Sequence, residues 1–324
     1  MLKKTVFKRV LLVLTVTIIC LVALDQFGQQ VLLSRNNADA EYPSQSDYRE
    51  SYERSVQWLI SNQDNLGDDN IWLSWMVQEA IRLTGDERAV PIVQKGVHRL
   101  QAEQNPKALS FLFFPEYYDP ATQEDKLQAA LKFSLNYYWI NFRKHYEQMA
   151  LYGVTGDTRM LPLGSIPEQF DIGFCELGKE LIENKACTTH HLLGLMFVER
   201  NGNCPEGIDC KTLIAELQDH IVGQLETRPL VEDVYLQRVL MLLLTGAEER
   251  VKPVWLRRVL DYQFKDNGWM NYHLLWQLSD GMCIGLGSHG RSDRIPSLVR
   301  CRSNFHTTAQ GMLISAYMLN EESG

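Results

Sequence analysis

Three histidines occupy matching places in this chain. His191 in "TTHHLL", His273 in "NYHLL" and His306 in "NFHTT" each follow a polar or aromatic opening and precede an apolar run. Imidazole is the side chain that exchanges a proton near neutral pH, so three of them at one mouth would suit acid–base chemistry. The same openings carry Trp72, Trp75, Trp269 and Tyr272, with Thr188, Thr189, His190, Asn271 and Asn304 beside them, and "LVEDVYLQ" adds Glu232, Asp233 and Tyr235. An aromatic rim with His, Asn and Tyr suits sugar rings, because aromatics stack on the ring and polar groups reach its hydroxyls and carboxylates. In β-elimination of an acidic polysaccharide, Asn would neutralise the uronate, His or Tyr would take the C5 proton, and Tyr would protonate the leaving oxygen. Hydrolysis needs two carboxylates instead, and Glu116, Glu232 and Asp233 are the candidates. Glu116, in "FFPEYYDP", reads first as a solvated loop acid. The expected catalytic set is His191, His273, His306 and Tyr272. The expected substrate contacts are Trp72, Trp75, His190, Asp233, Tyr235, Asn271 and Asn304. Against each histidine stands a plainer reading, a buried polar group satisfied by its neighbours.

A zinc reading starts from Cys187-x-x-His190. Positions i and i+3 share a helix face, so a thiolate and an imidazole would meet one ion there, with His306 completing the set from across the mouth. An oxidising compartment would offer Cys187 a disulfide partner instead. No cofactor other than zinc is implied.

The elements that must position these residues are helical. From Tyr48 onward the apolar residues recur with a 3.6-residue period, and the turns are short and rich in Gly, Asn and Asp. "AIRLTGDER" (80–88) recurs as "ALYGVTGDTR" (150–159) and "MLLLTGAEER" (241–250), and "LMFVERNGN" (195–203) fits the same slot with Asn-Gly. In each, an apolar helix ends at a Gly suited to the left-handed C′ position. The ends near 156, 202 and 246 are about 45 residues apart, the length of a helical hairpin in a repeat array. The longer gap from 85 to 156 has room for an irregular unit around "FLFFPEYYDPATQ". "NIWLSWMVQEAI" (70–81), "TTHHLLGLMFV" (188–198), "NYHLLWQL" (271–278) and "NFHTTAQGMLISAYML" (304–319) are apolar nearly all round and read as inner helices. "KTLIAELQDHIVGQLE" (211–226) and "VKPVWLRRVLDYQF" (251–264) are amphipathic and read as outer ones. Alternating inner and outer rings make an all-α fold, an α/α toroid of helical hairpins over residues 48–324.

The turn "QFKDNGW" (263–269) resembles the Gln-x-x-Asp-Gly-Gly-Trp turn of the triterpene cyclases and prenyltransferase-like proteins, with Asn267 in place of the first Gly. "HTTAQGMLISAYML" is similar to the closing inner helix of that α/α-toroid superfamily. The resemblance covers residues 50–90 and 185–320 and implies the fold, not the chemistry, because the acidic Asp-x-Asp-Asp motif is missing. Asp280-x-x-Cys283 with His306 is similar to the zinc set of prenyltransferase β-subunits, at a different spacing. The cast around Asn271-Tyr272-His273 resembles in type that of alginate-lyase-like toroids, and Cys-His ligands at inner-helix starts resemble those of lanthionine cyclases. The turn itself needs no chemistry: Asp266 would cap the next helix, Gly268 would permit the bend, and Trp269 would plug between hairpins.

Lys3, Lys4, Lys8 and Arg9 precede residues 10–24, which carry no charge. The expected organisation is a cytoplasmic tail (1–9), one transmembrane signal anchor (10–26), a polar tether (27–47) and an extracytoplasmic domain. A cleaved signal peptide is the rival, though "ADA" at 38–40 lies far beyond the apolar run. The chain is thus expected in the inner (plasma) membrane with its C-terminal domain outside the cytoplasm. Cys204 and Cys210 bracket a Pro/Gly loop and Cys283 and Cys301 flank a Gly/Ser/Pro-rich one, so each pair is placed to bridge. Cys175 and Cys187 flank "ELGKELIENKA", which reads as a helix that would hold them apart. A net charge of −8 excludes a nucleic-acid partner as the chain's business. Three functions remain: saccharide binding or processing in the cavity, a non-catalytic module contacting another envelope protein, or a zinc or prenyl-transfer descendant.

Overall fold

The computed structural model describes residues 28, 30–66, 71–102, 108–138, 145–160, 170, 187–279, 281–286 and 296–321. The expected anchor, the segment between Cys175 and Cys187, and most of "YYWINF" lie outside the described residues. Among the described residues no helix is long and apolar enough to cross a membrane.

The described chain is mostly helical. Residues 30–36 form α1. Then come α2 (Gln45–Asn62), α3 (Ile71–Thr84), α4 (Val90–Ala102), α5 (Ala108–Phe113), α6 (Pro120–Tyr138) and α7 (His145–Thr155). After these come α8 (Cys187–Arg200), α9 (Cys210–Thr227), α10 (Asp233–Leu244), α11 (Pro253–Asp261) and α12 (Phe305–Glu321). Between the last two helices sit three strands, β1 (His273–Ser279), β2 (Met282–Leu286) and β3 (Ser297–Arg300), paired antiparallel in that order.

The repeated turns have one build. Gly85, Gly156, Gly202 and Gly246 all take positive φ, between 66° and 72°, where a side chain would be strained. In the first two copies the Thr hydroxyl donates to the carbonyl four residues back and accepts the amide of the following Asp, which in turn accepts the amide of the Arg two residues later. Short 3₁₀ turns at Glu87–Ala89, Thr158–Met160 and Glu248–Arg250 come after three of these ends.

Burial separates the two kinds of helix as expected. In α8 and α10 nearly every residue is buried, whereas α9 buries the stripe Leu213, Leu217, Ile221 and Leu225. The last helix, α12, packs on α2, α3 and α10, so the last described helix lies against two of the first.

Two expectations fail. "NYHLLWQL" is no inner helix: it enters strand β1, which pairs Ser279 with Met282 across Asp280-Gly281. An Asp-Gly pair flanked by apolar residues is a strong hairpin signal, and a short apolar run cannot by periodicity alone be told from a helix. The Cys283–Cys301 disulfide then ties β2 to the segment after β3, and Cys204–Cys210 closes the loop before α9. Nor do residues 27–47 behave as a free tether. α2 begins at Gln45 with a capping box on Ser44 and Asp47, and α1 docks through Asn36, which is fully buried. The Asn36 amide donates to Leu225 O (2.6 Å), and its Oδ1 accepts from the Tyr235 hydroxyl (2.9 Å) and Arg258 Nη1 (3.0 Å). Its main-chain carbonyl accepts from Trp255 Nε1 (3.0 Å).

Candidate functional site

The "QFKDNGW" turn is architecture. Asn267 takes φ 78°, the left-handed conformation that the missing Gly would have supplied. Gln263 donates to Ser51 O and Asn267 O, and Arg54 donates to Asn267 Oδ1 and Phe264 O. Asp266 caps no helix; it accepts from Gly268 N, Ser303 N and the Ser303 hydroxyl. A Cβ at Gly268 would lie 2.6 Å from Ser303 Cβ, and one at Gly311 would lie 2.7 Å from the Trp269 ring. Trp269, buried, donates from its ring to Val259 O.

The helix starts converge, with partial agreement to expectation. Asp233 opens α10, and its Oδ2 accepts from Gln237 Nε2 one turn on (2.9 Å). Its Oδ1 accepts from Gln310 Nε2 (3.2 Å) and the Thr307 hydroxyl (3.4 Å) on α12, and lies 3.7 Å from His306 Nε2. Gln237 Oε1 accepts from the Thr189 hydroxyl on α8 (3.0 Å). Behind this, buried Arg238 donates to Gln224, which donates to Thr188. Burial, helped by Arg228, draws the Arg238 guanidinium down to about 10, so it stays charged at neutral pH. The first turns of three helices therefore share one polar network. Helix N-termini carry partial positive charge, which favours a carboxylate such as Asp233. Asn304 serves as the cap of α12, accepting from His306 N (2.8 Å) and Thr307 N (3.3 Å).

His273 and Tyr272 stand apart from that network, because the run they open is a strand. His273 is buried, accepts Val231 N at Nδ1 (3.2 Å) and stacks on Tyr262, whose hydroxyl lies 3.1 Å from Nε2. With Nδ1 accepting, the neutral ring carries its proton on Nε2. Burial first, then the Arg258 charge, pushes its pKa down to about 4. Tyr272 is buried, donates to Arg300 O (2.6 Å), and is pushed up to about 12 by burial. Both are held in structural bonds.

Of the other expected contacts, His191 is buried in α8, and His190 and Asn271 are half-buried. Tyr235 is buried on Asn36, burial raising its hydroxyl pKa. Trp72 and Trp75 pack with Phe113 and Phe197 in one aromatic cluster of edge-on and tilted contacts. Glu116 is exposed. Cys187 is disulfide-bonded, its partner outside the described residues, so the thiolate a zinc ion would need is missing. Among the described residues no group of three or more His, Cys, Asp or Glu could hold a metal. Concavities of about 140 and 390 Å³ lie beside α2, lined by residues such as Glu50 and Arg54, and not at Asp233. The contacts at Asp233 weigh more here than these shallow surface hollows, because they join three separate helices.

Sequence reasoning missed Gln237, Gln310, Thr307 and Asn36. The first two left a signal, a polar residue one helical turn after Asp233 and His306 in otherwise apolar runs. Compared with known protein families, characterised proteins and solved structures, the chain matches none.

Proposed function

We propose that the hairpins close into an α/α toroid, anchored outside the cytoplasm by residues 10–26, and that its mouth at Asp233 and His306 binds a saccharide. His306 is the acid–base group in this reading and Asp233 fixes the orientation of its ring. The packing of α12 on α2 and α3 supports closure. The disulfides support an oxidising compartment. The observation that carries the site is Asp233 held by Gln237 and Gln310 with His306 Nε2 at 3.7 Å. Asp233 already supplies the negative charge that these helix N-termini favour, so a uronate at this mouth would pair with His306.

The test is a panel of acidic and neutral oligosaccharides incubated with the full chain, read for binding and for unsaturated or reducing ends. Asp233→Asn and His306→Gln are each expected to weaken binding about tenfold or more, the worth of a charge-assisted hydrogen bond. Unchanged binding in both folded variants, or no binding by any member, contradicts the reading. A non-catalytic module contacting another envelope protein is the second reading, and an exposed apolar sheet face favours it.

A further inference from the structure

That sheet face is unlike the rest of the described surface. Trp276 is 70% exposed, Leu298 60%, Leu278 55% and Leu275 45%, four of the five large exposed hydrophobics. Register puts two of them together: Trp276 pairs with Ile284 and Ile284 with Leu298, forming one row across all three strands, and Met282 and Arg300 form the next. Leu275 and Leu278 sit at the two register irregularities of β1, one on each side of Trp276. The opposite face is sealed by Cys283 and by buried Tyr272, whose ring packs over Gly285. Apolar patches of this kind on a monomer mark a partner or a membrane.

We infer that this face rests on the lipid surface, as a second membrane contact beside the N-terminal anchor. The inference depends on the anchoring of residues 10–26 proposed above. Its ground is where the chain leaves the anchor. From Leu24 to Gln30 an extended chain spans roughly 20 Å at most, and α1 adds about 9 Å, so Asn36 lies within roughly 30 Å of the end of the apolar run. Asn36 bonds Arg258, which also donates to Pro229 O. Next to it, His273, the first residue of β1, bonds Val231 and Tyr262. The dock of α1 and the base of the sheet thus adjoin, joined through the chain from Pro229 to Val231, and a seven-residue strand reaches about 23 Å from there. Both lie within reach of one bilayer surface. The composition fits an interface: Trp and Leu enter the acyl boundary while exposed Arg300 and Arg302 meet anionic headgroups.

The experiment uses the full chain in phosphatidylethanolamine–phosphatidylglycerol vesicles, with and without brominated acyl chains, which quench tryptophan on contact. Flotation of the vesicles reads the anchor; quenching reads the sheet. Bromolipid quenching is expected in wild type and should be largely lost in Trp276→Phe, a substitution at an exposed ring that preserves the fold. Leu298→Glu, leaving every tryptophan in place, should lower the quenching as well. Chain that floats but shows the same quenching in Trp276→Phe, or none in wild type, overturns this inference alone. Chain that does not float overturns the anchor and this inference together. A dimer, or a stable complex with an envelope protein, that Leu298→Glu disrupts without any bromolipid quenching assigns the face to that partner instead.

Discussion

Replacing Asn36 with alanine is expected to destabilise the domain by about 3–5 kcal/mol, the range for breaking a buried polar network. The side chain satisfies three groups at once: Leu225 O, the Tyr235 hydroxyl and Arg258 Nη1. Alanine takes away the partner of all three groups and leaves them buried, one of them a charge. The bond from Trp255 Nε1 to the Asn36 main-chain carbonyl survives the change, so the loss reports the side chain. Urea unfolding of wild type and variant under non-reducing conditions measures it. A difference below about 1 kcal/mol, ordinary for a surface site, would mean that α1 is not docked as described. The variant should also release α1 to protease while the rest of the domain stays resistant.

Acid is expected to weaken the fold through His273. Its folded pKa is about 4 against an ordinary value of 6.5, so between these values the unfolded chain binds a proton that the folded chain refuses. Stability from this group is complete above about pH 6.5 and is lost as pH falls towards 4, about 3 kcal/mol in all at 1.36 kcal/mol per unit. Below pH 4 the folded ring charges as well and the loss levels off. His273→Asn keeps an acceptor for Val231 N but cannot titrate, so its stability should fall less steeply across the same window. Parallel curves for wild type and variant from pH 7 to 4 would show that the ring is not held neutral.

Much of the helical frame is readable because it rests on local rules. The Thr-Gly ends announce positive-φ glycines, and Gly85, Gly156, Gly202 and Gly246 all adopt them. All-round apolar runs announce buried helices, and α3, α8 and α12 bury them, while 271–278 forms a strand instead. The sheet is easily misread because His273–Ser279 is too short for its period to discriminate, and the apolar run masks the Asp280-Gly281 signal. That misreading also misplaces a site residue. His306 and Asp233 meet because both lie at the starts of helices that pack on each other, whereas His273 opens a strand and turns to Tyr262. Asn36 is invisible for another reason. A single polar residue in a polar stretch has no periodicity, and only tertiary contacts 189 to 222 residues away give it a role.

The network at Asp233 is the centre of the proposed function, and the imidazole of His306 reports on it directly. The measurement is the ring resonances of His306, assigned by comparison with His306→Gln, while an acidic oligosaccharide is titrated into the full chain. The expected result is a shift that saturates with the binding isotherm in wild type and needs about tenfold more ligand or beyond to saturate in Asp233→Asn. A ligand that binds with the His306 resonances unmoved, or binds Asp233→Asn as tightly as wild type, would contradict it.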